Sequence, residues 1–252
     1  MKKTRVEEVA EVLDRRGKMT LEELEEVFPG VSQMTLRRDL LVLEEQGRAI
    51  RVRNGAMSVR EVQRISGESY AKKSTINTDA KIIIARKAAE LIDQGACIFI
   101  DGGTTAMYLA KEIPDKNCTI FTNGLAVAIE LAQKKQVNIT VVGGQLIKDN
   151  LSTASPAAKE YFDLTNFEIA LVSATAFTPE HGFSCNSQIE SDLLKSVFKK
   201  ARQVYMMLDS SKIGRINPYT FAGLEDIDVL ITDDHFPKEY KQLFEDNNIV
   251  VM

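Results

Sequence analysis

The sequence contains no uninterrupted apolar run that approaches the roughly 18–20 residues of a membrane-spanning helix. Its opening stretch, MKKTRVEEVAEVLD, is charged throughout and lacks the apolar core of an export signal. Only three cysteines are present, and their odd number and wide spacing match neither a disulfide framework nor a zinc site: Cys97, Cys118 and Cys185. These absences predict a cytoplasmic chain with no membrane association, in which the cysteines are small buried hydrophobic residues.

Several signatures of catalytic and cofactor chemistry are also missing. The only two histidines, His181 and His235, lie in no recognisable catalytic arrangement. Histidine, cysteine and carboxylate residues form no cluster with metal-ligand spacing. The GxxxxGK[ST] and GxGxxG spacings of nucleotide-binding loops are absent as well. We therefore predict no catalytic residues, no metal and no cofactor.

Charge is uneven along the 252 residues, but the difference between the two parts is small. Residues 1–60 carry 12 Lys and Arg against 11 Asp and Glu, a net of +1, and residues 61–252 carry 20 against 25, a net of −5, which together give −4. Bulk charge therefore identifies no partner, and an anion-binding role has to rest on the local placement of basic residues.

The first 57 residues have the pattern of a small helical domain. Apolar residues recur at helical spacing before Gly17, and Thr20 with Glu23 has the form of a capping box that begins a second helix. Ser32 can cap a third helix, whose predicted buried stripe is Leu36, Leu40 and Leu43. A basic, strand-like alternation over residues 50–53 and the tight-turn pair Asn54-Gly55 follow. This order predicts a winged helix-turn-helix.

The third helix is the candidate DNA reader, because an α-helix fits the major groove with its N-terminal residues facing the base edges. The predicted DNA-binding residues are Ser32, Gln33, Thr35, Arg37 and Arg38 on the helix, and Arg51 and Arg53 on the wing. Arg can donate two hydrogen bonds to guanine and Gln can pair with adenine, whereas wing arginines suit the phosphates. Alternatively, Arg37 and Arg38 only solvate the helix and pair with Asp39, Glu44 or Glu45. The surrounding helix-turn-helix pattern favours double-stranded operator DNA.

From residue 81 onward, helical and strand-like segments alternate, which is typical of a largely parallel α/β sheet. The segments include the strands ACIFI, CTIFT, NITVV and EIALVSA, and the helices IIIARKAAELI and IESDLLKSVFKKA. Residues 58–80 are polar and only weakly periodic. We therefore predict a DNA-binding domain at 1–57, a linker at 58–80 and an α/β domain at 81–252.

Ligands of parallel sheets bind at the carboxyl ends of the strands, where this sequence places glycine, hydroxyl and charged residues. In DGGTT the glycines let the backbone approach a ligand, and the helix that begins nearby turns its free amides toward an anion. The candidate ligand-binding residues are Asp101, Gly103, Thr104, Thr105, Asn123, Gly143, Gly144, Asp209 and Lys212, with Glu190 and Lys195 at the rim. Each motif alone has a plainer explanation as a turn, a cap or a surface charge, but their convergence favours one pocket, with Lys212 on phosphate and Asp101 on sugar hydroxyls.

The segment VSQMTLRRDLLVLEEQG closely resembles the recognition-helix signature of the DeoR family of bacterial transcriptional regulators. The resemblance continues through the strand-end motifs, so that it covers nearly the whole chain. It implies an effector domain similar in fold to ribose-5-phosphate isomerase, a phosphorylated sugar as effector, and repression of a sugar-catabolic operon. The chain departs from the family pattern at the wing and at two pocket segments: residues 53–56, 151–153 and 173–177.

The sequence thus predicts a homo-oligomeric regulator whose affinity for operator DNA is changed by a phosphorylated sugar. One alternative is a sugar-phosphate isomerase-like enzyme with an accessory DNA-binding domain, in which Asp101, Glu190 and Lys212 serve as acid–base and polar groups. Another is an architectural DNA binder without an effector. The recognition helix would be idle in the enzyme, and the strand-end residues would be unexplained in the architectural protein.

Overall fold

A computed structural model of the chain describes residues 4–46, 48–52, 54–58 and 70–252. Internal contacts divide the chain into two compact units, Met1–Glu68 and Ser69–Met252. Among the helices described, none is both long enough and apolar enough to cross a membrane. Each unit has its own apolar core and its own sheets.

The N-terminal unit is a winged helix-turn-helix, as predicted. Its elements are α1 (Arg5–Arg16), β1 (Lys18–Thr20), α2 (Leu21–Val27), α3 (Gln33–Glu45), β2 (Ala49–Val52) and β3 (Gly55–Ser58). Thr20 and Glu23 form the predicted capping box at the start of α2, and the Ser32 side chain accepts a hydrogen bond from the Thr35 amide at the start of α3. The predicted apolar stripe of α3 is buried in the core of this unit.

The wing sheet contains two strands besides the one that the sequence predicts at residues 50–53. The order is β1-β3-β2, with β3 antiparallel to both neighbours. Asn54 takes a left-handed conformation at the turn, whereas Gly55 is already the first residue of β3. A Cβ atom on Gly55 would lie 2.0 Å from the Met19 carbonyl oxygen. Gly55 is therefore required for the close approach of β1 rather than for the turn alone.

The larger unit is an α/β domain with three sheets. Its helices are α4 (Tyr70–Thr75), α5 (Thr78–Glu90), α6 (Thr104–Glu112), α7 (Leu125–Leu131), α8 (Pro156–Asp163), α9 (Gln188–Lys200) and α10 (Lys238–Asp246). Its strands are β4 (Cys97–Ile100), β5 (Cys118–Thr122), β6 (Val137–Val141), β7 (Gln145–Ile147), β8 (Ser152–Ala154), β9 (Phe167–Ser173), β10 (Ala176–Thr178), β11 (Gly182–Cys185), β12 (Ala201–Met207), β13 (Tyr219–Ala222), β14 (Val229–Ile231) and β15 (Val250–Val251).

The seven strands of the main sheet are all parallel, in the order β15-β14-β12-β9-β4-β5-β6. Two apolar clusters cover its faces, and β4 contributes to both, with Phe99 in one and Ile98 and Ile100 in the other. This two-sided burial explains why the strands read as continuous apolar runs. The strand order reverses between β4 and β9, so the crevice at their carboxyl ends is the topological switch point where α/β sheets bind ligands.

The predicted linker at 58–80 is wrong over its second half. Residues 70–75 form α4 and belong to the larger unit, and residues 59–69 lie outside the described residues. Polar contacts hold α4 in place: the Tyr108 hydroxyl donates to the Ser74 carbonyl over 3.1 Å, and Lys81 Nζ donates to the Lys73 carbonyl. Because these anchors are side chains from α5 and α6, local periodicity does not reveal them. The larger unit begins ahead of residue 81, and the other predicted boundaries stay predictions.

Candidate functional site

The start of α3 carries three of the predicted DNA-binding residues. The hydroxyls of Ser32 and Thr35 lie 3.0 Å apart, and the Ser32 oxygen also accepts the Thr35 amide proton. Gln33 Nε2 donates to a Glu25 carboxylate oxygen over 3.0 Å. These side chains lie at the surface of the unit, but each is already held by a neighbour.

Arg37 and Arg38 are exposed on α3. The alternative in which either of them pairs with Asp39 is wrong, because Arg5 occupies both oxygens of that carboxylate at 2.6 and 3.0 Å. Asp39 is buried and faces α1 rather than the exposed side of α3. The two arginines are therefore exposed and are not held by Asp39, whereas the alternative pairing with Glu44 or Glu45 stays open.

The predicted wing contacts are described only in part. Arg51 lies in β2 opposite Ala56, so the backbone is strand as expected, whereas its side chain is outside the described residues. The prediction for Arg53 falls on a residue that is not described. Their contacts with phosphate stay predictions.

A pocket opens at the carboxyl ends of β4 and β9; we call it the strand-end pocket. Six predicted residues line it: Asp101, Gly103, Thr104, Thr105, Glu190 and Lys212. Ser173, the last residue of β9, ties the two strands together, since its hydroxyl donates to the Gly102 carbonyl over 3.2 Å. The chain order of the parallel sheet thus brings residues from four separate segments to one crevice.

One side of the strand-end pocket suits an anion. Gly103 precedes α6 with a φ of 100°, and within the described residues no side chain caps this helix. The first amides of α6 and its positive dipole end therefore remain open toward the pocket. Lys212 lies on a short 3-10 turn, with Nζ 3.8 Å from a carboxylate oxygen of the buried Asp209. Open amides next to an oriented ammonium group make a phosphate-binding arrangement.

The opposite side of the pocket is acidic and buried. Burial, reinforced by the charge of Glu190, raises the pKa of Asp101, while hydrogen bonds from the Gly102 and Ser173 amides act in the other direction. Burial likewise raises the pKa of Glu190, and hydrogen bonds from Asn150 and Ser152 oppose it. In the described part of the chain, Asp101 Oδ1 has no hydrogen-bond partner. A buried carboxyl oxygen without a partner can accept a hydrogen bond from a ligand hydroxyl.

Asn123 lies beneath this carboxyl group. Its side chain is fully buried, and among the described residues neither amide atom makes a hydrogen bond of standard geometry, although the amide lies near enough to Asp101 to favour its ionised form. Burial and the charge of Glu190 also raise the pKa of Cys185, which lines the pocket, to about 12. This thiol is therefore neutral, and it contributes apolar surface to the pocket.

Models of two known protein-domain families match this chain. Residues 5–62 match the DeoR-like helix-turn-helix domain, and residues 76–234 match the DeoR C terminal sensor domain. The chain belongs to the DeoR family.

Relatives of this DeoR-family chain carry the names of transcriptional regulators. The HTH-type transcriptional regulator GlpR of Haloferax volcanii is 32% identical over 88% of this chain and 87% of the relative. The HTH-type transcriptional repressor GlcR of Bacillus subtilis is 30% identical over 97% of this chain and 93% of the relative. The chain is thus a DNA-binding transcriptional regulator rather than an enzyme.

Among solved structures, ribose 5-phosphate isomerase A from Methanocaldococcus jannaschii is distantly similar to this chain. It is 16% identical, with a TM-score of 0.39 over 54% of this chain and 55% of that one. The likeness concerns the fold alone. The described residues also contain no group of three or more His, Cys, Asp or Glu side chains placed to hold a metal ion.

Five predicted pocket residues of the DeoR-family chain do not line the pocket. Asn123 and Asp209 are buried directly behind it, where they contact Asp101 and Lys212. Gly143 and Gly144 form an exposed turn, in which a Cβ atom on Gly144 would lie 2.3 Å from the Ala154 carbonyl oxygen. Lys195 is exposed on α9. Gly143 and Gly144 thus belong to a turn, and Lys195 belongs to a solvated helix face, which are the plainer explanations of these residues.

Other pocket residues were missed by the sequence analysis. Lys73 and Lys81 come from α4 and α5, and Asn150 comes from the loop before β8. Asn150 accepts the Gly103 amide proton through its carbonyl and donates to Glu190 through its side chain. The departures from the family pattern at residues 151–153 lie next to this loop, whereas no motif in the sequence marked the two lysines.

Proposed function

We propose that this regulator represses a sugar-catabolic operon and that a phosphorylated sugar bound in the strand-end pocket changes its affinity for operator DNA. The names of two relatives support repression: GlcR is a transcriptional repressor by name, and a protein of Escherichia coli O157:H7 is named a putative aga operon transcriptional repressor. The regulator would act in the cytoplasm as a homo-oligomer, because operators with two half-sites are read by symmetric dimers.

The observation that carries the effector assignment is the presence of two kinds of group in one pocket. The open N-terminus of α6 and Lys212 suit the phosphate, with Gly103, Thr104 and Thr105 supplying backbone amides and hydroxyls. On the opposite side, Asp101 and Glu190 suit sugar hydroxyls. A phosphorylated sugar carries both an anionic end and a row of hydroxyls, so it matches both sides at once.

Coupling to DNA binding would pass through α4. Lys73 Nζ donates to the Asp149 carbonyl over 3.2 Å, and Lys81 Nζ donates to the carbonyls of Lys73 and Ile76. Both ammonium groups line the pocket, so an arriving anion competes with these carbonyls. In chain order, α4 follows the DNA-binding unit. In one arrangement of α4 these ammonium groups would bind the carbonyls, and in the other they would bind the effector. An effector with different affinity for the two arrangements would shift the equilibrium between them.

On the DNA side, α3 would occupy the major groove. Arg37 and Arg38 supply exposed guanidinium groups for bases or phosphates, and Ser32, Gln33 and Thr35 lie in the first turn. Arg51 and Arg53 would contact the phosphate backbone from the wing. Release of counterions from these contacts makes operator affinity fall steeply with salt.

Thermal unfolding of the purified protein against phosphorylated sugars and their unphosphorylated parents tests the proposal. A ligand at about 100 times its dissociation constant stabilises the folded state by roughly 2.7 kcal/mol, which moves the transition visibly. We expect a shift with one phosphorylated sugar and none with its parent.

The variants Lys212→Met and Lys195→Met form a matched pair for this experiment, because Lys212 lines the pocket and Lys195 is exposed on α9. Lys212→Met should lose the ligand-induced shift and Lys195→Met should keep it. An equal response to the parent sugar, or an unchanged response of Lys212→Met, would contradict the phosphate assignment.

A further inference from the structure

Met34 is an apolar side chain in an unexpected position. It lies in the first turn of α3, between Gln33 and Thr35, and 68% of it is exposed to solvent. Burial of a large apolar side chain is favourable, and the described residues of this unit leave most of Met34 uncovered. The start of a recognition helix is also the part that lies deepest in the major groove.

The geometry of α3 places Met34 at the centre of its outward face. At about 100° per residue, Met34, Arg38 and Leu41 fall within roughly 60° of one another. The buried stripe of the helix lies on the opposite side and consists of Leu36, Leu40 and Leu43. Any groove that receives the exposed face of α3 therefore meets Met34 and Arg38 first.

The polar neighbours of Met34 are held by other groups. Ser32 and Thr35 hydrogen-bond to each other in the cap, and Gln33 donates to Glu25. A polar side chain that already has a partner must break or share that bond to read a base. The Met34 thioether chain is therefore the group in the first turn that can meet a base without breaking a hydrogen bond.

We propose that Met34 is a specificity-determining residue that packs against the 5-methyl group of a thymine in the operator. The inference rests on the proposed placement of α3 in the major groove. The thymine methyl is the apolar group that base edges present there, whereas the other edges present donors and acceptors that a thioether chain would leave unpaired. Met34 and Arg38 are one helical turn apart, about 6 Å, which is close to two base-pair steps of about 3.4 Å. The thymine therefore lies about two base pairs from the base that Arg38 reads.

The test begins with selection of tight-binding duplexes from a random pool by the full-length protein. Each thymine of the selected duplex is then replaced singly by uracil, which removes only the methyl group. We expect one replacement in each half-site to weaken wild-type binding about fourfold, the equivalent of about 0.8 kcal/mol for one buried carbon group. Met34→Ala should bind the thymine and uracil duplexes equally at that position.

Leu41→Ala is the matched control, because Leu41 lies on the same face two turns further along α3 and is 39% exposed. It should keep the preference for thymine. Alanine favours helix, so both variants should fold.

Three results would overturn the inference. A Met34→Ala protein that still prefers thymine would overturn it while leaving DNA binding by α3 intact, and so would a wild-type protein that is insensitive to uracil at every position. Failure to enrich any duplex from the pool would overturn the placement of α3 on DNA, and the role of Met34 with it.

Discussion

Replacing Asp101 by asparagine should stabilise the free protein and at the same time disable its pocket. Asp101 is 3% exposed, and its Oδ1 atom has no hydrogen-bond partner in the described part of the chain. Asparagine has the same shape without the charge. Its amide could also pair with the amide of Asn123, which is likewise buried beside it. The variant removes an unfavourable buried group without opening a cavity.

The size of this effect follows from the environment of the carboxyl group. A buried polar group without a partner costs about 1–3 kcal/mol, and more when it is charged. For a chain of this size, each kcal/mol in the free energy of unfolding moves the melting temperature by about 2–4 °C. We therefore expect Asp101→Asn to melt about 2–12 °C above the wild type and to show no shift with the phosphorylated sugar that stabilises the wild type.

The change of the free energy of unfolding with pH is an independent test of this reasoning. Burial and the charge of Glu190 raise the pKa of Asp101 in the folded state, so the folded protein retains a proton that the unfolded chain has already lost. The free energy of unfolding therefore falls as the pH rises from the unfolded pKa of Asp, about 4, through the folded value. Asp101→Asn has no carboxyl group at this position and does not lose stability in this way. The difference in the free energy of unfolding between the variant and the wild type should therefore increase with pH. The raised pKa of Glu190 contributes in the same direction and persists in the variant.

Asp233→Asn is the matched control for denaturant unfolding at several pH values. Asp233 is also buried, at 4% exposure, but it accepts hydrogen bonds from the Ser210 amide at 2.7 Å, the Ser210 hydroxyl at 3.2 Å and the His235 amide at 2.9 Å. Its replacement should lower stability. The reasoning would be refuted if Asp101→Asn destabilised the protein as Asp233→Asn does, or if its difference from the wild type did not change with pH.

Two further predictions test the DNA-binding helix and the turn after β6. Arg38→Ala should weaken operator binding by about 1–3 kcal/mol if Arg38 reads a base, while leaving the ligand-induced thermal shift intact; unchanged affinity in a titration of labelled duplex would remove Arg38 from the contacts. Gly144→Ala should lower the melting temperature much more than Gly143→Ala, because its Cβ would lie 2.3 Å from the Ala154 carbonyl oxygen whereas a Cβ on Gly143 meets nothing within 4 Å. Equal melting temperatures for the two variants would contradict the described turn.

Features with a local physical cause could be predicted from the sequence. The capping box of Thr20 and Glu23 and the apolar stripe of α3 depend on residues three or four positions apart, and both are confirmed. The alternation of strands and helices predicts the parallel main sheet of the larger unit, and its topology brings Asp101, Thr104 and Lys212 to one edge. The DeoR-type motifs identified the family for the same reason, since they are short and continuous.

Features that depend on distant partners were decided only by the tertiary structure. Asp39 is held by Arg5, 34 residues away, so its spacing beside Arg37 and Arg38 was misleading. Lys73, Lys81 and Asn150 enter the pocket from segments without a recognisable motif, while Gly143, Gly144 and Lys195 have strand-end or rim spacing but lie outside its lining. A sequence pattern determines which face of a helix or strand is buried, whereas the choice among many possible partners depends on how the elements pack together.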